Sequence, residues 1–179
     1  QRTSLRDVLA ARGLRIAWCP ALCGARADAD VLRLATASVQ VLADLGAHVE
    51  EVASPIASPR EHFEVLWAAS MAQILRRIPA EKRALCDPGF VAVAQRGLAA
   101  SANDLLDATG ARHADGATMN AFHERYDLLV TPQMPTTAIA AGVDVPRDGT
   151  QRGAVPSWLG WSPYTYPFNW TQQPAASIP

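Results

Sequence analysis

A chain that does covalent chemistry needs a nucleophile with a base, or a converging set of metal ligands, and few residues here qualify. Cys19 and Cys23, in Cys19-Pro20-Ala21-Leu22-Cys23, could be half of a zinc site. A structural site closes a tetrahedron, and the next donors, His48 and Cys86, follow no ligand spacing, so both read as ordinary loop cysteines. His48, His62, His113 and His123 fall on a strand and on helices without a serine or cysteine partner, which makes them surface or helix-face residues. Glu50 and Glu51 are neighbours at a strand end and point to opposite faces, so they cannot share a proton. Lys82, the only lysine, lies in the charged junction Pro79-Ala80-Glu81-Lys82-Arg83. A lysine base needs burial or cationic surroundings to give up its proton, and an exposed lysine beside Glu81 is poorly placed for that. Gly-Gly, Ser-Ser and Gly-x-Ser-x-Gly are all absent. The expected catalytic set is therefore empty, and so is the expected metal set.

Binding is better represented. Thr131-Pro132-Gln133 follows the apolar run Asp127-Leu128-Leu129-Val130, and ligand sites gather at the strand ends of mainly parallel sheets. A pocket wall and a plain strand-to-turn junction both fit these residues. Trp67, Met71, Trp158, Trp161 and Phe168 are apolar enough to line a pocket and equally suited to a core. The last sixteen residues, 164–179, combine four aromatics in seven positions with Pro167, Pro174 and Pro179. Prolines fix φ and push the residue before them out of the helical region, so tight turns alternating with short extended pieces are expected. Asn169, Thr171 and Gln172 could satisfy the irregular backbone of a loop folded into the interior or lining a pocket.

The elements that must position these residues read as α/β. Residues 14–18 alternate as a strand does, and Asp28 or Asp30 can cap a helix with its stripe at Val31, Leu34, Ala35, Ser38, Leu42 and Leu45, closed by Gly46. Residues 47–52 form a second strand, completing a βαβ unit with an expected right-handed crossover. Ser58, Pro59 and Glu61 suggest a capping box for a helix with Phe63, Leu66, Trp67, Ser70, Met71, Ile74, Leu75 and Ile78 on one face, ended by Pro79. Asp87-Pro88 opens another helix along Val91, Ala94 and Leu98. Ser101 and Asp104 open a long one to Phe122, in which Gly110 and Gly116 are candidate break points. The run 127–131 has the pattern of a central strand covered on both faces. Residues 133–162 show little periodicity and read as a long excursion.

Composition narrows the partners. The chain has 179 residues, 49% of them apolar, one domain's worth with enough for a core. A net charge of −1 argues against nucleic acid or an anionic membrane as partner. Three cysteines are too few for a disulfide scaffold and suit a reducing cytoplasm. No apolar run approaches the roughly 18 residues of a membrane span, and no signal-peptide pattern opens the chain. Both ends read as cut, since the chain starts at Gln1 and stops in mid-motif at Pro179.

Two stretches resemble the amidase signature family. Tyr126-Asp127-Leu128-Leu129-Val130-Thr131-Pro132-Gln133-Met134-Pro135 is similar to its Tyr-Asp-(three hydrophobic)-Thr-Pro-x-x-Pro segment. Pro167, Phe168, Asn169, Thr171, Pro174, Ala175, Ser177 and Pro179 match its Pro-Phe-Asn-hydrophobic-Thr-Gly-x-Pro-Ala-x-Ser-hydrophobic-Pro segment. Gln172 stands where that family usually has Gly, so a φ > 0 turn there would be taken against steric cost. The resemblance covers about residues 5–179. It implies an α/β fold, a mixed sheet covered by helices and starting with the βαβ unit, with 1–179 as the later portion of a single domain truncated at both ends. It also implies hydrolysis of a carboxylic amide through a serine acyl-enzyme, without cofactor. The Ser-cisSer-Lys triad would lie in a missing N-terminal catalytic half, and a homodimer is left open. Thr131, Pro132, Gln133, Trp67, Phe168 and Asn169 would then contact a small-molecule amide. The segment 95–101 differs from the Arg-Ile-rich Gly-Thr segment of the glutamine-transamidating branch and points away from it. The rival readings are a non-catalytic α/β binding module with the same outline and an enzyme with an unrecognised site.

Overall fold

The computed structural model describes residues 11–141 and 158–178, which fall into two compact units, 59–116 and the remainder. In the larger unit three parallel strands, β1 (Arg15–Trp18), β2 (His48–Glu51) and β3 (Leu128–Val130), stand in the order β2-β1-β3. Ile16 pairs with Val49 on one side and Leu128 on the other. Ile16 and Ala17 point to opposite faces, and both are fully buried, so β1 is the strand covered on both sides. This corrects the expectation for 127–131: β3 borders the described sheet, and Leu128 is 45% exposed. A short apolar run does not distinguish a central strand from its neighbour.

Helix α1 (Ala29–Asp44) connects β1 to β2 and completes the expected β-α-β order. Asp28 occupies the N-cap without a side-chain bond, and its N–H donates instead to the Pro135 carbonyl at 2.7 Å. Gly46 ends the helix as expected, at φ +99°. Its N–H bonds the Ala43 carbonyl and that of Ala47 bonds Leu42, which is the Schellman pattern. Leu42 then packs with Leu14, Val49 and Val130 against Ala11, Ile16 and Ala47.

The smaller unit holds α2 (Arg60–Arg77) and α3 (Pro88–Leu98). Pro59 is the N-cap of α2 in place of Ser58, and no side-chain capping bond forms. The Ser58 hydroxyl lies 3.2 Å from that of Tyr166, so a tertiary partner has taken the group expected to cap. The buried residues of α2 are Ala68, Ala72 and Leu75, while Ile74 is 47% exposed. The stripe is rotated toward small residues because α3 approaches closely: a methyl group on Gly97 would overlap the Ala68 carbonyl. Asp87 caps α3 as expected, accepting from the Phe90 N–H at 2.9 Å.

Helix α4 (Ala102–Arg125) opens on the expected capping box. Asp104 Oδ2 accepts from the Ser101 N–H and hydroxyl, both at 2.8 Å, and Ser101 Oγ accepts from the Asp104 N–H at 3.1 Å. These bonds hold the Asp104 carboxyl below its ordinary range. The helix runs unbroken through Gly110 and Gly116, since a loss of about 1 kcal/mol per glycine is small beside 24 residues of continuous bonding.

The final stretch departs most from expectation. Tyr166–Thr171 forms a helix, α6, with Pro167 in its first turn, after the short α5 (Trp158–Trp161). Proline at a helix start satisfies the same φ restriction as a turn, which is why the two looked alike. The interior placement holds for Tyr164, Tyr166, Pro167, Trp170 and Thr171, but residues 174–178 are exposed. Gln172 takes φ +60°, ψ 29°, so the left-handed turn is kept without glycine. We expect Gln172→Gly to raise stability by up to about 1 kcal/mol, relieved strain exceeding the added freedom of the unfolded chain, as read by urea denaturation. No change or a loss would mean that the side chain compensates. Most of the excursion expected over 133–162, with its residues 142–157, lies outside the described residues.

Candidate functional site

The carboxyl ends of β1 and β3 are joined beyond their last residues, because the Cys19 N–H donates to the Val130 carbonyl at 2.9 Å. Cys19, Leu22 and Tyr164 form a buried cluster there, with Cys23, Val52, Leu129 and Phe168 packed against it. Tyr164 donates its hydroxyl to the Pro20 carbonyl at 2.7 Å, fastening the segment before α6 to the loop after β1. Burial, with Cys19 adding to it, pushes the Tyr164 phenol up to about 12, and burial likewise raises the Cys19 thiol. The site is apolar, and its ionisable groups stay neutral.

That loop is shaped by one hydroxyl. Ser54 Oγ accepts from the Cys23 N–H at 2.9 Å and donates to the Ile56 carbonyl at 2.6 Å. Cys23 stands at φ +53°, an uncommon conformation for a residue with a Cβ, which this bond helps to hold. Its thiol reaches the Ala57 carbonyl at 3.5 Å.

The residues expected to bind substrate divide by position. Thr131, Pro132 and Gln133 lead directly out of β3 at this same end of the sheet, half-buried, buried and exposed in turn. The Thr131 hydroxyl donates to the Pro132 carbonyl at 2.8 Å. Phe168 joins the apolar cluster, whereas Asn169 is exposed. Trp67 is half-buried on α2 in the other unit, as is Met71. Trp161 buries its indole N–H without a hydrogen-bond partner among the described residues. The meeting of Cys19, Leu22 and Tyr164 was not expected from the sequence; the signal was that a buried strand ending at Trp18 delivers the next residues to the carboxyl end of the sheet.

The opposite, amino-terminal end of the strands carries a shallow cleft of about 200 Å³ lined by Arg15, His48, Val49, Glu50, Arg125 and Tyr126. Its polar groups hold the sheet together. Arg15 pairs with Asp127 at 2.8 Å, the Arg15 N–H also donates to that carboxylate, and Tyr126 donates to Glu50 at 2.6 Å. The Tyr-Asp pair of the motif is therefore a clasp between strands. Arg15 depresses Asp127 to about 2. The folded value lies below the ordinary 3.8, so the clasp stabilises fully above that pH and is lost as the pH falls through about 2. Asp127→Asn should lower the melting temperature at neutral pH and converge with the parent near pH 2 in a pH series of thermal melts. A constant offset across the series would remove the charge from the account.

Among the described residues no three His, Cys, Asp or Glu side chains group as a metal set would, Lys82 is exposed, and no helix is long and apolar enough to cross a membrane. The family model described as Amidase matches residues 3–179. An acylamidase of Rhodococcus erythropolis is 24% identical over 173 residues, covering 94% of this chain and 35% of that protein. The crystal structure of a bacterial aryl acylamidase belonging to the amidase signature enzymes superposes with a TM-score of 0.70 at 20% identity, over 95% of this chain and 38% of that one. The chain thus spans a little over a third of the length of these relatives. With the motif residues in their expected order, and with the α/β fold in common, the chain belongs to the amidase family.

Proposed function

We propose that this chain is the pocket-forming portion of an amidase, a later part of one amidase signature domain that hydrolyses a carboxylic amide to an acid and ammonia or an amine. The observation that carries the reading is the apolar cluster at the carboxyl ends of β1 and β3, flanked by Phe168 and by the Thr131-Pro132 exit of β3. Such a wall excludes water from the acyl group and orients it by shape. The serine nucleophile and its lysine base are supplied by polypeptide outside this chain, which accords with the share of the relatives that it spans. Acylamidase activity in the relatives points to an acylated amine as the substrate class. Thr131, Pro132, Gln133 and Phe168 contact it, with Asn169 at its margin. The partners are that amide and the catalytic segment, and the compartment is the cytoplasm.

The test is amide hydrolysis by the protein translated from the whole coding region that contains this chain, with the 179-residue chain alone as control. Release of amine or ammonia by the first and not by the second is expected. Turnover by the isolated chain, lost on Thr131→Ala, would overturn the division of labour. An inactive whole protein that still binds an acylated amine would leave the binding-module reading in its place.

A further inference from the structure

Because β1 and β2 run parallel, the segments that follow them leave the sheet at the same end, and one side chain joins the two. Ser54, beyond β2, accepts from the Cys23 N–H in the loop after β1 and donates to the Ile56 carbonyl in its own segment. Removing that oxygen breaks both bonds at once. The bonds converge where the loop is under strain. Cys23 and Gly24 are both left-handed, at φ +53° and +76°, and only the glycine takes that conformation without steric cost. The Cys23 thiol lies 3.9 Å from the Ser54 hydroxyl and reaches the Ile56 and Ala57 carbonyls at 3.9 and 3.5 Å. Cys23 also packs against the buried cluster of Cys19, Leu22 and Tyr164, so its position decides where that side of the cluster lies.

We propose that Ser54 is a positioning residue for the substrate wall: its hydroxyl holds the left-handed turn at Cys23 and so keeps the loop after β1 seated against Tyr164 and Phe168, without touching substrate itself. The proposal rests on the amidase reading given above. A strained turn keeps one position only while its surroundings over-determine it, and Ser54 is suited to do so. It is half-buried, and both of its partners are backbone groups, which cannot swing aside as side chains can. The 2.6 Å bond to Ile56 fixes the direction of the hydroxyl hydrogen and leaves a lone pair for the Cys23 N–H. Without the hydroxyl, Cys23 relaxes toward negative φ and the loop takes more than one position. The cost then falls on binding. Substrate must order the wall each time it enters, which raises KM, whereas the reacting groups supplied by the rest of the protein are untouched and kcat is kept. A purely structural loss behaves differently: fewer folded molecules lower the apparent kcat and leave KM alone.

Two measurements on the whole protein that contains this chain test it, with Ser54→Ala and Ser54→Thr compared with the parent. The first is steady-state hydrolysis of butyryl para-nitroanilide. Ser54→Ala should raise KM about tenfold with kcat within about twofold of the parent, and Ser54→Thr, which keeps the hydroxyl, should restore KM to within about threefold. The second is the rate of alkylation by iodoacetamide, mapped to each cysteine by mass spectrometry. Cys23 should react about tenfold faster in Ser54→Ala, while buried Cys19 should not change. An active parent whose KM does not respond to Ser54→Ala, a Ser54→Thr variant as impaired as Ser54→Ala, or a rise in alkylation shared by Cys19, the mark of general loosening, would each overturn the role of Ser54 alone. A parent that hydrolyses no amide would sink the amidase reading, and this role with it, whatever the alkylation rates.

Discussion

Gly97→Ala should destabilise the protein by about 3 kcal/mol or more, the cost of forcing extra volume into a packed contact, and lower its melting temperature by about 10 °C. The reason lies in what the added methyl would meet. At most helix positions a Cβ points into space or against a side chain that can turn aside. At Gly97 it would overlap the carbonyl carbon and oxygen of Ala68 and crowd the Ala69 nitrogen, all backbone atoms of α2. Backbone cannot rotate away, so α3 must lift off α2, and buried Ala68, Ala72 and Ala94 lose contacts. Shortening the neighbour should not help: Ala68→Gly leaves the carbonyl where it is and should fail to rescue Gly97→Ala. The matched control is Gly110→Ala, the same change in α4, where a Cβ would meet nothing within 4 Å. That variant should gain up to about 1 kcal/mol from helix propensity alone. Opposite signs for the two substitutions in thermal and urea denaturation are the expected result. Equal signs would mean that α2 and α3 are not held this closely.

The same contact explains which parts of the fold could be read in the residues and which could not. Local stops and starts were legible where one side chain or one dihedral decides the matter, as with Gly46 closing α1, Asp87 capping α3 and Ser101 with Asp104 opening α4. Where a distant partner competes, they were not. Ser58 has the chemistry of a cap but lies against the Tyr166 hydroxyl, more than a hundred residues away in sequence. The stripe of α2 was expected through its large residues, whereas the close approach of α3 selects Ala68 and Ala72. The proline-rich end reads equally as turns or as a helix start, and only the burial of Tyr166 and Trp170 decides for a helix. The site shows the same division. Thr131 and Phe168 drew attention because they stand in motifs, while Cys19, Leu22 and Tyr164 meet only after the chain has crossed from β1 to the segment before α6.

Tyr164 is the residue on which that convergence depends, and its removal is the second large effect expected. Tyr164→Ala should cost about 3 to 4 kcal/mol, since it leaves a cavity between Cys19, Leu22 and the chain entering α6. Tyr164→Phe keeps the ring and removes only the bond to the Pro20 carbonyl, so about 1 kcal/mol is expected. The two variants therefore separate packing from hydrogen bonding at one position. Alkaline pH separates them again. With the phenol raised from 10.0 to about 12, the folded chain keeps its proton where the unfolded chain has released it. Stability must then fall as the pH rises from 10 toward 12. Tyr126, raised mainly by its bond to Glu50, contributes a fall of the same sign, so Tyr164→Phe should reduce the slope without abolishing it. Urea denaturation midpoints at stepped pH measure this directly. An unchanged slope in Tyr164→Phe would show that the phenol is open to solvent. In that case the cluster could not serve as a dry wall for an acyl group, and the pocket proposed at this end of the sheet would lose its floor.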